Sequence, residues 1–109
     1  MSVREERLAR NEAFFRELNE RLEAVTPDSA SKLVVVCECA DEDCADRLTL
    51  RQEEYEAIRA QDTHFVVAAG HVDRRIEEVV RRTDRFEVVA KRGAAGDVAG
   101  DLDPRKAAS

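Results

Sequence analysis

Between residues 2 and 25, apolar side chains fall at Leu8, Phe15, Leu18, Leu22 and Val25, with Phe14 beside them, at spacings of 7, 3, 4 and 3. That rhythm follows one face of a 3.6-residue helix. Ser2, with Glu5 three residues on, fits a capping box that opens the helix. Pro27 closes it, because a residue before proline, here Thr26, is steered out of helical backbone. The predicted helix, 2–25, is roughly 35 Å long at about 1.5 Å per residue. Its stripe is expected to pack on the chain's own sheet with Asn11 near the rim. The same stripe, with Asn11 as a buried polar group fixing register, would also suit a homodimer through this helix.

After Pro27 the pattern shortens. Leu33-Val34-Val35-Val36-Cys37 is a β-branched run and reads as a buried strand. Residues 39–46 form an acidic loop, and Arg47-Leu48-Thr49-Leu50 alternates like a second short strand. Thr49 with Gln52 offers a cap for a helix over 51–60 that buries Tyr55 and Ile58. Residues 63–68 predict a third strand, ended by Gly70. Over 73–82, Ile76, Val79 and Val80 share one side of a predicted helix, and Glu77–Arg81 and Glu78–Arg82 stand in the favourable i,i+4 order. Residues 85–91 predict the last strand, and 93–109 a mobile or weakly helical tail. The order predicts an α+β domain over 1–92: the long N-terminal helix, a small four-stranded sheet and two further helices.

Composition narrows the class. At 109 residues, 39% of them charged and 5% aromatic with no tryptophan, the chain has room for one core of Val, Leu, Ile, Ala and its four Phe. A domain this size buries only about two-thirds of its unfolded surface, so a metal crosslink is a useful supplement. The net charge of -6 disfavours a general nucleic-acid binder, since duplex affinity rests on neutralising phosphates. No apolar run reaches the roughly 18 residues of a membrane span. The charged start reads as helix rather than secretory signal, so the expected compartment is the cytoplasm. There, close cysteines are reduced thiols or metal ligands more naturally than disulfides.

The concentrated chemistry is Cys37-Glu38-Cys39 with Cys44, followed by Gly70-His71. Structural zinc sites commonly take three cysteines and one histidine. If the strands ending at Cys37 and before Gly70 are neighbours, Cys37, Cys39, Cys44 and His71 can meet around one Zn2+, with Gly70 allowing the tight turn. C-x-C-x4-C is less specific than a doubled C-x2-C, so buried free thiols and a redox or disulfide role stand beside the metal reading. Glu38, Asp41, Glu42, Asp43 and Asp46 tip the balance. Their negative charge should raise the thiol pKa values and make poor nucleophiles, whereas a cation reverses the local field.

Four protein ligands leave no position for water, which weighs against catalysis. Were His71 not a ligand, Glu38 or Glu53 could act as base in a zinc-dependent hydrolase. His64 is expected exposed or at the rim, with a substitute-ligand role the lesser option. Arg74, Arg75, Arg81, Arg82, Arg85, Lys91 and Arg92 form a basic excess. It reads as a solvated face interleaved with Glu77 and Glu78, or else as an RNA or ribosome contact. Tyr55 and Arg59 offer a recognition surface or, more plainly, a core-edge tyrosine. Nucleotide, P-loop, nucleophile-elbow and H-E-x-x-H motifs are absent. The leading expectation is a non-enzymatic structural-zinc module that binds a protein partner. A zinc hydrolase, a thiol-based redox sensor and an RNA- or ribosome-associated factor are the alternatives.

Arg10-Asn11-Glu12, Phe15-Arg16, Asn19-Glu20-Arg21, the C-E-C-x4-C cluster, Glu54-Tyr55-Glu56 with Arg59, Phe65-Val66-Val67, Gly70-His71 and Val88-Val89-Ala90-Lys91 together resemble a group of short, uncharacterised cytoplasmic proteins of high-GC bacteria. The likeness covers roughly residues 10–92. It implies zinc ligation by the cysteine and histidine elements and carries over no activity. Ala69 stands where that group's pattern often has proline.

Overall fold

In the computed structural model, which describes residues 3–41 and 43–107, the long first helix is present as α1 (Val3–Val25). Ser2 of the expected capping box and Glu42 of the acidic loop lie outside the described residues. Then follow β1 (Leu33–Val36), β2 (Arg47–Leu50), α2 (Gln52–Arg59), β3 (His64–Val67), β4 (Glu77–Arg82), β5 (Glu87–Lys91), α3 (Gly93–Asp101) and the single turn α4 (Pro104–Ala107). The class is α+β. In place of one four-stranded sheet there are two antiparallel ones, β1-β2 and β3-β5-β4.

The largest departure from expectation is β4, where the sequence predicts a helix over 73–82. Only Asp73 to Ile76 turns helically, with the Ile76 and Glu77 amides donating to Asp73 O. The i,i+4 ion pairs of a helix here would contribute only about 0.2–0.5 kcal/mol each. As a strand the segment covers the free edge of β5 and places Glu77 opposite Lys91 and Arg82 opposite Glu87. Both cross-strand pairs are ion pairs. A register shift between Val79 and Arg81 extrudes Val80, which is 46% exposed.

Helix α2 also starts differently from expectation. Its N-cap is Arg51 and not Thr49, and the Arg51 amide donates to Glu54 Oε1 at 2.8 Å. The segment after Arg92, expected as mobile or weakly helical, forms α3, whose Ala95 and Ala99 are buried. Gly96 and Gly100 let α3 lie close to the Lys91 carbonyl, Thr63 and Asp62.

The core is built from alternate residues of β1 and β2 (Leu33, Val35, Leu48, Leu50), from Tyr55 and Ile58 of α2, and from Phe65–Val67, Val88 and Val89 of the second sheet. Helix α1 is rotated from its expected orientation: of the predicted stripe, Leu8 packs against the buried cluster of Ala9, Ile76 and Ala95, and Phe15 and Leu22 are only half-buried. Phe14, Leu18 and Val25 face outward, with Phe14 63% and Val25 79% exposed. The inward face is Ala9, Glu12, Ala13, Arg16 and Asn19.

Each inward polar group has a partner that the rest of the chain supplies. Glu12 meets Lys91, which also pairs with Glu77 and lies over the Phe65 ring. Arg16 stacks on Phe65 at 4.1 Å and donates to Asp62 O and Ala99 O. Asn19 brackets Val36, accepting from its amide and donating to its carbonyl, both at 2.8 Å. Lower on the helix, Glu20 pairs with Arg59 and with Arg105, and Arg105 also reaches Glu23 and Glu56.

Candidate metal centre

Strand β1 ends at Val36, and the chain runs on through Cys37-Glu38-Cys39. Side chains two apart on extended backbone share a face. The two thiols therefore point one way and Glu38 the other. Glu38 is fully buried and joins the two sheets: its amide donates to Val66 O at 2.8 Å, and its Oε1 accepts from the Val66 amide at 3.0 Å. Its Oε2 accepts from Asn19 Nδ2 at 2.7 Å. This strut sets the Cys37 end of β1 beside the end of β3. The chain leaving β3 then turns back at Gly70, whose φ of +82° suits glycine and whose amide is held by Glu87 Oε1 at 3.0 Å. His71 emerges from that turn facing the thiols.

On the other side, the Cys37 amide donates to Asp46 O and the Cys44 amide to Asp41 O, folding the acidic loop so that Cys44 comes back over Cys37. The ligand atoms of Cys37, Cys39, Cys44 and His71 all lie within 4.8 Å of one another. His71 Nδ1 is 3.6 Å from Cys37 Sγ and 3.6 Å from Cys44 Sγ. For Zn–S of about 2.3 Å and Zn–N of about 2.05 Å at tetrahedral angles, the S···N edge is about 3.5–3.6 Å. Both edges match it.

The surroundings also suit a cation held by thiolates. The Ala68 amide donates to Cys37 Sγ at 3.1 Å. The other imidazole nitrogen, Nε2, faces Asp46 Oδ2 at 3.5 Å. A carboxylate behind a ligating histidine fixes the tautomer and orients the ring. Cys37 and Cys39 are buried, while Cys44 and His71 are half-buried at the rim.

The thiols do not ionise alike. The hydrogen bond from Cys37 pushes Cys39 down to about 5, with His71 helping. The same contact, followed by burial, pushes Cys37 up, and burial pushes Cys44 up. A uniform rise driven by the acidic loop is the expectation this corrects. Glu38 is on the far side of the strand, and the strongest influence on each buried thiol is its neighbour.

Other sequence candidates fall elsewhere. His64 begins β3 at the end remote from the cluster, half-buried beside Ala57, Ile58 and Val88, so it cannot stand in for His71. Glu38 is turned away from the thiols and Glu53 is exposed on α2, so neither addresses the site. Tyr55 and Arg59 are buried, with Arg59 held between Glu20 and Asp103. Much of the basic excess is spent internally: Arg75 pairs with Asp73, Arg82 with Glu87, Arg85 with Glu54, and Lys91 with the buried glutamates. Sequence patterning missed Glu12, Arg16, Asn19 and Lys91. For Glu12, Arg16 and Asn19 the available signal was their 4-and-3 spacing on one face with Ala9 and Ala13; Lys91, on β5, carried none.

A shallow cavity of about 610 Å³ opens beside the cluster, between Cys39–Asp41 and Gly70–Arg75. No family model, curated protein or solved structure matches the chain.

Proposed function

We propose that Cys37, Cys39, Cys44 and His71 bind one Zn2+ as a closed structural site, and that the protein is a small zinc-stabilised interaction or regulatory module without enzymatic activity of its own. The observation that carries the reading is the pair of 3.6 Å edges from His71 Nδ1 to two sulfurs, inside a four-atom cluster no wider than 4.8 Å. Three soft thiolates with one imidazole favour zinc over the hard cations that take oxygen ligands. With four protein ligands the tetrahedron is complete, and no position is left for the water that a catalytic zinc activates. The metal would pin the acidic loop and the Gly70–His71 turn to the junction of the two sheets. The outward apolar residues of α1, Phe14, Leu18 and Val25, then offer contact area for a protein partner.

Metal analysis of protein purified without added zinc, followed by cobalt substitution, tests the site. About one equivalent of zinc is expected, and the cobalt form should show intense tetrahedral d–d bands with thiolate charge transfer. Folded protein carrying less than about 0.2 equivalents, or a weakly coloured octahedral cobalt spectrum, would overturn the metal reading. A water in the fourth position would revive the hydrolase alternative.

A further inference from the structure

We infer that metal occupancy at the Cys37–Cys39–Cys44–His71 cluster controls how firmly α1 is docked on the rest of the chain; this rests on the zinc reading above. Most surface helices attach by an apolar stripe whose burial is indifferent to events elsewhere. Helix α1 does not. Its fully buried inward residues are Ala9, Glu12, Arg16 and Asn19, with Ala13 nearly so, and alanine burial contributes little. Beyond the first turn or two, where Leu8 and Ala9 pack with Ile76 and Ala95, docking depends on polar contacts, which are strong only when geometry is kept.

Several of those contacts end on the stretch that supplies two of the ligands. Asn19 holds both backbone groups of Val36 and the carboxylate of Glu38. Asn11 donates to Ala40 O at 3.3 Å. Val36, Glu38 and Ala40 alternate with Cys37 and Cys39 along one extended run. Whatever fixes the two sulfurs on one face fixes the helix acceptors on the other. Glu38 makes the link rigid, because the carboxylate that receives Asn19 also receives the Val66 amide.

The ion is thus expected to hold residues 36–40 in the one backbone geometry that α1 recognises. Without it, three sulfurs and an imidazole nitrogen gathered within 4.8 Å have no shared attractor, and the loop loses its reason to stay closed. The same coupling runs in reverse: a helix docked on residues 36–40 pre-arranges the ligands, and metal affinity must rise by the factor by which metal favours docking. The remaining anchors, among them Glu12 to Lys91, Arg16 to Asp62 O and Ala99 O, and Glu20 to Arg59 and Arg105, lie away from the cluster, so loss of metal should loosen α1 without unfolding β3 and β5.

Hydrogen exchange on the full chain, zinc-loaded and chelated, with metal content measured in the same samples, reads this directly. Peptides of α1 are expected to exchange about tenfold faster without metal, while β3 and β5 keep their protection. Unchanged α1 exchange in protein shown to bind and release one equivalent would overturn this inference alone. Equal loss of protection in α1, β3 and β5 would also overturn it, since the ion would then hold the whole fold. Failure of the loaded sample to hold metal would overturn the zinc reading and this inference with it. As the reciprocal arm, Asn19→Ala should weaken cobalt binding in competition titrations by about tenfold. Unaltered affinity in a variant whose circular dichroism matches the parent would count against the coupling.

Discussion

Replacing Lys91 by methionine isolates the polar interior under α1. Lys91 Nζ is the cation for two carboxylates, Glu12 and Glu77, and all three side chains are fully buried. Glu12 has no hydrogen-bond donor on either oxygen besides that ion pair, whereas Glu77 Oε2 keeps the Asp73 amide at 3.1 Å. Methionine fills the space over Phe65 but leaves two carboxylates without a cation. Removing one partner of such a buried set costs about 3–5 kcal/mol. A domain of this length has a total stability of about 5–15 kcal/mol, so Lys91→Met should be marginal. At roughly 4 °C per kcal/mol, its Tm should drop by about 12–20 °C.

Urea unfolding followed by circular dichroism in the presence of zinc is the assay, read at pH 7.5 and again at pH 5. Burial already pushes the Glu77 carboxyl up to about 8. A carboxyl with a raised folded pKa stabilises the fold below its unfolded value of about 4.5 and loses that contribution as pH rises toward its folded value. The deficit of Lys91→Met should therefore change little between these two pH values and grow only above about pH 8, where Glu77 ionises beside Lys91 in the parent and has no cation in the variant. Replacing Glu12 and Glu77 by leucine in the same variant should recover most of the loss, because a well-packed apolar set is no worse than a buried ion triad. A Lys91→Met protein within about 1 kcal/mol of the parent at pH 7.5 would refute the claim that α1 is seated on a buried charge set.

Three further outcomes are expected. Cys39→Ser should abolish stoichiometric zinc and lower Tm by about 15 °C, since a site saturated near a thousand times its Kd contributes about 4 kcal/mol; calorimetry showing an unchanged transition would make the cluster non-structural. Phe14→Ser should shift stability by no more than about 0.5 kcal/mol while Ala13→Leu costs about 1–3 kcal/mol, and the opposite ranking in denaturant titrations would put the apolar stripe back inside. Glu23, partly buried and then crowded by Glu56 beside Arg105, is raised to about 7. It should stabilise the protein below about pH 4.5 and lose that contribution as pH rises to about 7, so Glu23→Gln should flatten the stability profile between those limits; parallel profiles would dismiss the effect.

The ligand set was legible because three cysteines fall within eight residues and because Gly70 announces the turn that delivers His71; that C-x-C on extended backbone puts both sulfurs on one face came only with the structure. The strands were legible where β-branched residues run together, at Leu33–Val36 and Phe65–Val67. What misled was periodicity without partners. Residues 76–82 carry apolar spacing and charge pairs that suit a helix, yet the uncovered edge of β5 decides the matter through Glu77–Lys91 and Arg82–Glu87. In α1 the apolar stripe is real, but only Leu8, Phe15 and Leu22 of it are half-buried, while Leu18 and Val25 face out. A helix presents two usable faces, and the inner one was chosen by Lys91, Ala99 and Glu38, whose positions depend on the folded tertiary arrangement. The alanine-rich segment after Arg92 has few large side chains, and only its glycine-allowed approach to Asp62 and Thr63 makes it a packed helix.

The rotated helix also bears on the order of events as the chain is made. Arg16 waits for a carbonyl 83 positions downstream and Glu20 for a guanidinium 85 downstream. At a translation speed of about 5–20 residues per second, that is roughly 4–17 s during which these two contacts of α1 lack their partners. A helix whose docking face were leucine and phenylalanine would spend those seconds inviting aggregation. One that docks through glutamate, arginine and asparagine can remain hydrated until its late-arriving partners appear.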